Sequence, residues 1–172
     1  MIIFVFILIV IFIVLLSIVI GVKDFAIFFP THKNYIKKAL NLADLKPNQK
    51  LYDLGCGDGR VLICAAKDFG AKAIGFEISP LIFLVAKINI LIRKLDKKAE
   101  VHFKNFYKTD LTQAEVIFIF GMKHSMQKLI KKIESEAKKG TKIISYVFQI
   151  PGWKQEKVYK ESNKPLIYLY KL

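Results

Sequence analysis

The sequence predicts an α/β fold: a doubly wound, mainly parallel sheet, preceded by one apolar N-terminal helix and closed by an antiparallel hairpin. Three observations carry the prediction. Strand-like and helix-like segments alternate from "KLYDL" to "TKIISYVF", the pattern of βα units wound on both faces of a sheet. The segment "AEVIFIF" is a continuous apolar run, as expected of a strand buried on both faces. Residues 2–22 carry no charge, and only Ser17 and Gly21 interrupt their apolar run.

As a helix, that first run is about 31 Å long, close to the hydrocarbon thickness of a bilayer. A cleaved signal peptide would need a basic start, a shorter apolar core and a small-residue cleavage site, and the run has none of these. It is expected to be a retained transmembrane anchor. All 28 Lys and Arg follow residue 22, so the positive-inside rule places the remainder in the cytoplasm. The expected organisation is an anchor over 1–22, a juxtamembrane segment over 23–33 and a folded domain over 34–172.

In order, "DFAIFFP" places aromatics at headgroup level. "THKNYIKKALNLADL" reads as a helix with Ile36, Ala39, Leu40 and Ala43 on its buried face, started by Thr31 or Asn34 and broken at Pro47-Asn48. "KLYDL" is a strand, and "GRVLICAAKDFG" a helix closed by Gly70. "AKAIGFE" is a strand. "SPLIFLVAKINILIRKL" is a helix with Ser79 as cap and Pro80 at its first position. Residues 81–92 are apolar on almost every side, which suits burial on two faces, a bilayer or another subunit. "AEVHF" and "AEVIFIF" are strands. "SMQKLIKKIESEAKKG" is a helix burying Met126, Ile130, Ile133 and Ala137. After the strand "TKIISYVF", the runs "KQEKVYKES" and "PLIYLYKL" have no room for a crossover helix and are expected to pair as a hairpin at one sheet edge.

The net charge is +14, but only Arg60 and Arg93 are arginine. Lysines scattered over helix surfaces favour solvation and attraction to anionic lipid. They do not suggest sequence-specific nucleic-acid recognition, which relies on arginine-rich base contacts. Cys56 and Cys64 fit no metal-ligand pattern, and no metal is expected. Cys56 is expected to line the loop after the first strand, and Cys64 to sit on a helix as a small apolar residue.

That loop, "LYDLGCGDGR", carries the chemistry. A dinucleotide loop has the spacing G-x-G-x-x-G. Here Gly55, Gly57 and Gly59 alternate, and Arg60 stands where the third dinucleotide glycine belongs. The Lys-Ser/Thr ending of a P-loop is absent. Glu77 ends the second strand, 22 residues after Gly55, where an acid can accept bidentately from both ribose hydroxyls of a nucleoside.

The acid-x-G-x-G-x-G run from Asp53 to Gly59 resembles the first motif of class I S-adenosylmethionine-dependent methyltransferases. The resemblance implies a Rossmann-like methyltransferase sheet with S-adenosylmethionine as cofactor. This ligand has no phosphate; its ammonium and sulfonium favour a nearby carboxylate, and its close approach to backbone favours glycine. Asp53, Gly55, Cys56, Gly57, Gly59 and Glu77 are the implied cofactor shell. Asn105 stands where such enzymes often place an aspartate towards the adenine amino group, and its carbonyl oxygen can still accept.

From about residue 28 to the end, the chain is similar to small, often membrane-anchored protein-lysine methyltransferases acting on the ATP synthase c-subunit and the adenine nucleotide translocase. Pro30-Thr31, "DLGCGDGR", "GFEISP" and "SYVFQIPGW" carry that similarity. It implies N-methylation of protein lysine, with a protein partner at the membrane. "FGMKHSM" lacks the N/D-P-P-Y signature of adenine and glutamine acceptors. A small-molecule, lipid or RNA acceptor is the rival; a non-catalytic membrane-bound binding module is the third possibility. Thr31 and His32 either fold over the cofactor or start the first helix. His124 is either a titratable group at the site or a surface histidine. Trp153 either lines a lysine channel or covers the core. Asp58 and Arg60 are expected to pair.

Overall fold

The computed structural model describes residues 4–9, 11–12, 31–120 and 123–172, the side chains of 123–125 excepted. Most of the expected anchor and juxtamembrane segment lies outside the described residues. Residues 4–9 and 11–12 are helical and exposed. Among the described residues, no helix is long and apolar enough to cross a membrane.

The domain runs α1 (Lys33–Leu42), β1 (Lys50–Leu54), α2 (Arg60–Asp68), β2 (Lys72–Glu77), α3 (Pro80–Ile92) and β3 (Ala99–Phe103). A short 3-10 turn (Phe106–Lys108) leads to β4 (Val116–Ile119), α4 (Lys123–Glu136), β5 (Lys142–Tyr146), β6 (Lys157–Tyr159) and β7 (Ile167–Lys171). The seven strands order as β3-β2-β1-β4-β5-β7-β6. β1 pairs in parallel with both β2 and β4, so the chain reverses its winding direction beside β1. Ligands of doubly wound sheets bind beyond the strand C-termini at such a switch point.

The expected hairpin is present, but its later strand is the inner one. β7 pairs antiparallel with β5, and the short β6 is the edge. Residues of β7 are mostly buried, whereas those of β6 are exposed or half-buried. The more apolar run therefore takes the inner place, and the lysine-bearing run blunts the edge.

Strand alternation builds two cores. Leu51 of β1, Phe118 of β4 and Ile144 of β5 pack with α1 and α2 on one face. Tyr52, Leu54, Ile117 and Ile143 pack with Met126, Leu129 and Ile133 of α4 on the other. All four β4 residues are buried, as the uninterrupted apolar run predicts. Ile36, Ala39, Leu40 and Ala43 are fully buried, so the face assigned to α1 is the packed one. At the end of α1, the Lys142 ammonium donates to the Ala43 carbonyl at 2.6 Å. This ties that end to the start of β5 and directs the N-terminus of α1 towards the strand C-termini.

Two expected caps differ. The residue before α1 is His32, with no side-chain cap, rather than Thr31 or Asn34. Ser79 does precede α3, with Pro80 at its first turn, but its hydroxyl does not cap the helix; its N–H instead donates to Glu77.

Candidate cofactor and acceptor site

The loop after β1 is fixed from below. The N–H groups of Gly55 and Cys56 both donate to the Phe76 carbonyl at 3.0 Å, and Gly59 N–H closes the turn onto the Cys56 carbonyl. Gly55 and Gly59 have φ of 98° and 80°, a region side chains rarely occupy. A Cβ built on Gly55 meets nothing within 4 Å, and one on Gly59 touches Ala86 of α3 at 3.4 Å. Gly55 thus bares backbone towards open space, while Gly59 lets the loop rest on α3.

Cys56 does not turn its side chain into that space. Its Sγ packs into the core over Gly75 of β2. Burial, then the Asp53 and Glu77 charges, push its thiol well above the ordinary range. Any cofactor contact from Cys56 therefore falls to its backbone. Gly75 was missed in the sequence. A Cβ there would lie 2.5 Å from Leu62 and 2.7 Å from Cys56, so only glycine lets the loop settle on β2. A glycine inside a strand signals a close backbone approach, and that was the available clue.

Glu77 organises the loop. Its Oε2 accepts from Gly57 N–H at 3.1 Å, and its Oε1 from the N–H groups of Ile78 and Ser79 at 2.9 and 2.8 Å. Burial pushes this carboxyl up, and the three backbone donors oppose that shift. A carboxylate has roughly four lone-pair sites. In this conformation one stays open, on Oε2, rather than the two that bidentate acceptance from a ribose requires.

Asp53 is 3% exposed, and no hydrogen bond joins its carboxylate to another described residue. Burial, then the Glu77 and Asp58 charges, hold its carboxyl well above the ordinary range. A nearly buried carboxylate without a partner is costly and suits a cationic ligand. This acid, unbonded among the described residues and beside the bare Gly55 backbone, fits the ammonium end of S-adenosylmethionine.

Arg60 joins the loop to the segment before α1. Its Nε and Nη2 donate to Asp58 at 2.8 and 2.6 Å, and its Nη1 donates to the Thr31 carbonyl at 2.9 Å. The expected Asp58–Arg60 pair is present, and it brings the buried Thr31 to the loop. Asn105 follows β3, but its Oδ1 already accepts from Tyr107 N–H at 2.9 Å, so one lone pair of that oxygen and the amide N–H groups remain for an adenine.

The neighbouring strand ends are aromatic. Phe120, just past β4, meets the Tyr146 ring edge-on at 5.0 Å and the Phe148 ring at 6.4 Å. Between them Val147 has φ of 72°, an outlier for a β-branched residue and of the kind that clusters at functional sites. It is held by Val147 N–H donating to the Leu166 carbonyl at 2.8 Å and by the Ser145 hydroxyl donating to the Phe148 carbonyl at 2.5 Å. Burial, then nearby Tyr35 of α1, push the Tyr146 phenol up. Sequence reasoning passed over Tyr35, Phe120, Tyr146 and Phe148, because aromatics at strand ends read equally well as core. Trp153 is tied elsewhere: its Nε1 donates to Glu134 of α4 at 2.9 Å, and its ring meets Tyr170 at 5.8 Å. It covers the α4 face. The side chain of His124 lies outside the described residues.

A seven-strand sheet with a glycine loop at its switch point and Glu77 ending the next strand defines a class I S-adenosylmethionine-dependent methyltransferase. The profile of the ANTKMT methyltransferase domain matches residues 53–157, and the chain belongs to that family. A protein-lysine N-methyltransferase of Saccharolobus islandicus is 35% identical over 147 residues, which are 83% of this chain and 91% of that enzyme. The mouse lysine N-methyltransferase of the ATP synthase c-subunit is 32% identical over 103 residues, 60% of this chain but 41% of that enzyme. The match thus spans less than half of the mouse protein. The crystal structure of an RNA methyltransferase from Salinibacter ruber, in complex with S-adenosyl-L-homocysteine, has a TM-score of 0.80 at 28% identity, covering 83% of this chain and 93% of that one.

Proposed function

We propose that this enzyme methylates lysine side chains of proteins at a membrane. The observation that carries the acceptor assignment is the group of Phe120, Tyr146 and Phe148 at the C-terminal ends of β4 and β5, next to the strand bearing the glycine loop. Aromatic faces hold alkylammonium groups. The same apolar surroundings disfavour a charged ammonium, which promotes the neutral amine that must attack. Relatives named as protein-lysine N-methyltransferases support the choice of lysine.

When bound, S-adenosylmethionine supplies a methyl group activated by its sulfonium. Asp53 would face its ammonium, the open lone pair of Glu77 a ribose hydroxyl, and Asn105 the adenine. The Gly55 backbone permits close approach, and the Arg60–Thr31 link holds the segment before α1 against the loop. The chain's task is then to align an amine and exclude water, which accounts for large rate gains in displacement chemistry. Tyr146, with its phenol pushed up, stays neutral at physiological pH and acts as wall rather than base. We assign residues 1–22 as the anchor and place the lysine-rich domain on the cytoplasmic side, supported by the charge asymmetry of the sequence.

The test is label transfer from methyl-labelled S-adenosylmethionine to membranes of the source organism, followed by separation of protein, lipid and RNA. Label in methyl-lysine after hydrolysis of the protein fraction is the expected result. Label confined to RNA or lipid overturns the lysine assignment.

A further inference from the structure

α3 presents its more apolar side outward. Ala86 and Ile90 are its buried residues, while Leu81, Leu84, Val85, Ile88, Leu91 and Ile92 are 38–72% exposed. Their spacing of three and four places them in one stripe opposite the packed side. Phe103, 55% exposed at the end of β3, meets Phe83 with ring centroids 5.6 Å apart. An exposed continuous patch of this kind marks an interaction surface.

Charge selects the occupant. Residues 80–104 contain six basic residues, Lys87, Arg93, Lys94, Lys97, Lys98 and Lys104, against the acids Asp96 and Glu100. Lys87 borders the stripe on one side, and Lys94 follows at its C-terminal end, while Arg93 turns back to donate to the Asn89 carbonyl at 2.8 Å. Such a face repels a second copy of a chain with net charge +14 and attracts anionic lipid, each lysine or arginine near such a surface contributing about 1 kcal/mol. Ten residues, 23–32, separate the uncharged run from α1, and ten residues reach at most about 35 Å. An anchored domain therefore stays at the bilayer surface.

We propose that α3 lies along an anionic bilayer, with the Leu81–Ile92 stripe in the headgroup–acyl boundary and Lys87 and Lys94 at phosphate level. This goes beyond anchoring and rests on the membrane reading only for proximity. A crossover helix runs roughly antiparallel to its strands. With α3 flat on the surface, the strand C-termini open sideways at headgroup height, where a lysine flanking a membrane span is presented.

The experiment uses the full chain in phosphatidylcholine vesicles with and without phosphatidylglycerol. Ile88→Cys carries an environment-sensitive dye, and Lys131→Cys on exposed α4 is the control. Cys56 and Cys64 are buried and resist labelling. Retained binding of S-adenosylhomocysteine certifies folding, and Ile92→Cys replaces Ile88→Cys if that binding is lost. The expected result is a blue shift at position 88, quenching by spin-labelled lipid, shielding from iodide, and a several-fold loss of these effects without phosphatidylglycerol; position 131 stays aqueous. Sedimentation with vesicles while position 88 remains as iodide-accessible as 131 overturns the proposal and leaves the anchor intact. Shielding from iodide without quenching by lipid means that protein covers α3, which also overturns it. No sedimentation at all removes both the anchor and the α3 proposal, whereas lysine methylation is read separately.

Discussion

The loop beyond β1 and the loops beyond β4 and β5 face the same site but are built by opposite means. The first is backbone: Gly55 held by the Phe76 carbonyl, Gly57 by the Glu77 carboxylate and Gly59 by the Cys56 carbonyl. The second is side chain: Phe120, Tyr146 and Phe148 around a Val147 in a left-handed conformation. On the proposed assignment, the difference makes cofactor binding and acceptor choice separable. Changes in the first region should act on cofactor affinity, and changes in the second on the acceptor.

The largest effect is expected from Glu77→Ala. It removes the proposed ribose acceptor and strands three backbone donors. Hydrogen bonds to charged groups are worth about 1.5–3 kcal/mol, so affinity for S-adenosylhomocysteine should fall by roughly 10–150-fold, and label transfer should vanish. Affinity within twofold of wild type would show that the ribose is held elsewhere. Gly75→Ala should come next, since its Cβ overlaps Leu62 and Cys56. Overpacking costs about 1–3 kcal/mol, visible as a Tm lower by several degrees and as weaker cofactor binding. An unchanged Tm would mean that the loop does not depend on this contact.

Asp53→Asn gives a signed test. Burial raises the Asp53 carboxyl in the folded protein. A raised acid contributes stability that is fully present below its unfolded value and is lost as pH rises through the folded value. The asparagine variant has nothing to ionise. Without cofactor it should melt above wild type at neutral pH, by about 2–4 °C per kcal/mol recovered, and this advantage should disappear in acid. Its cofactor affinity should nevertheless be lower. In wild type, cofactor binding should weaken as pH falls through the same raised value. A variant less stable than wild type at neutral pH would contradict the buried, unpartnered carboxylate.

Much of the first region was legible before the structure. Glycine spacing and the acid ending β2 are dictated by backbone approach, and few other uses need that combination. What stayed hidden was long-range. Gly75 matters only because Cys56 and Leu62 arrive beside it, and Thr31 is held by Arg60 from 29 residues away. The Asn105 oxygen and most of the Glu77 lone pairs are engaged by local N–H groups that a motif does not display. The second region was scarcely legible, because "FIF" and "SYVF" are equally good core. The outward side of α3 was unreadable for a related reason: with both sides apolar, periodicity cannot say which one packs. The pairing of β7 rather than β6 with β5 likewise depended on relative burial.

The most direct measurement of the central claim is a paired one on Phe120→Leu: the Kd for S-adenosylhomocysteine by calorimetry and the KM for the lysine acceptor. The ring's interaction with an alkylammonium is worth about 0.5–1 kcal/mol. The account therefore predicts a KM raised by roughly 2–5-fold with an unchanged Kd. A Kd that moves by the same factor, with KM unaffected, would place Phe120 on the cofactor side and contradict the division of the site.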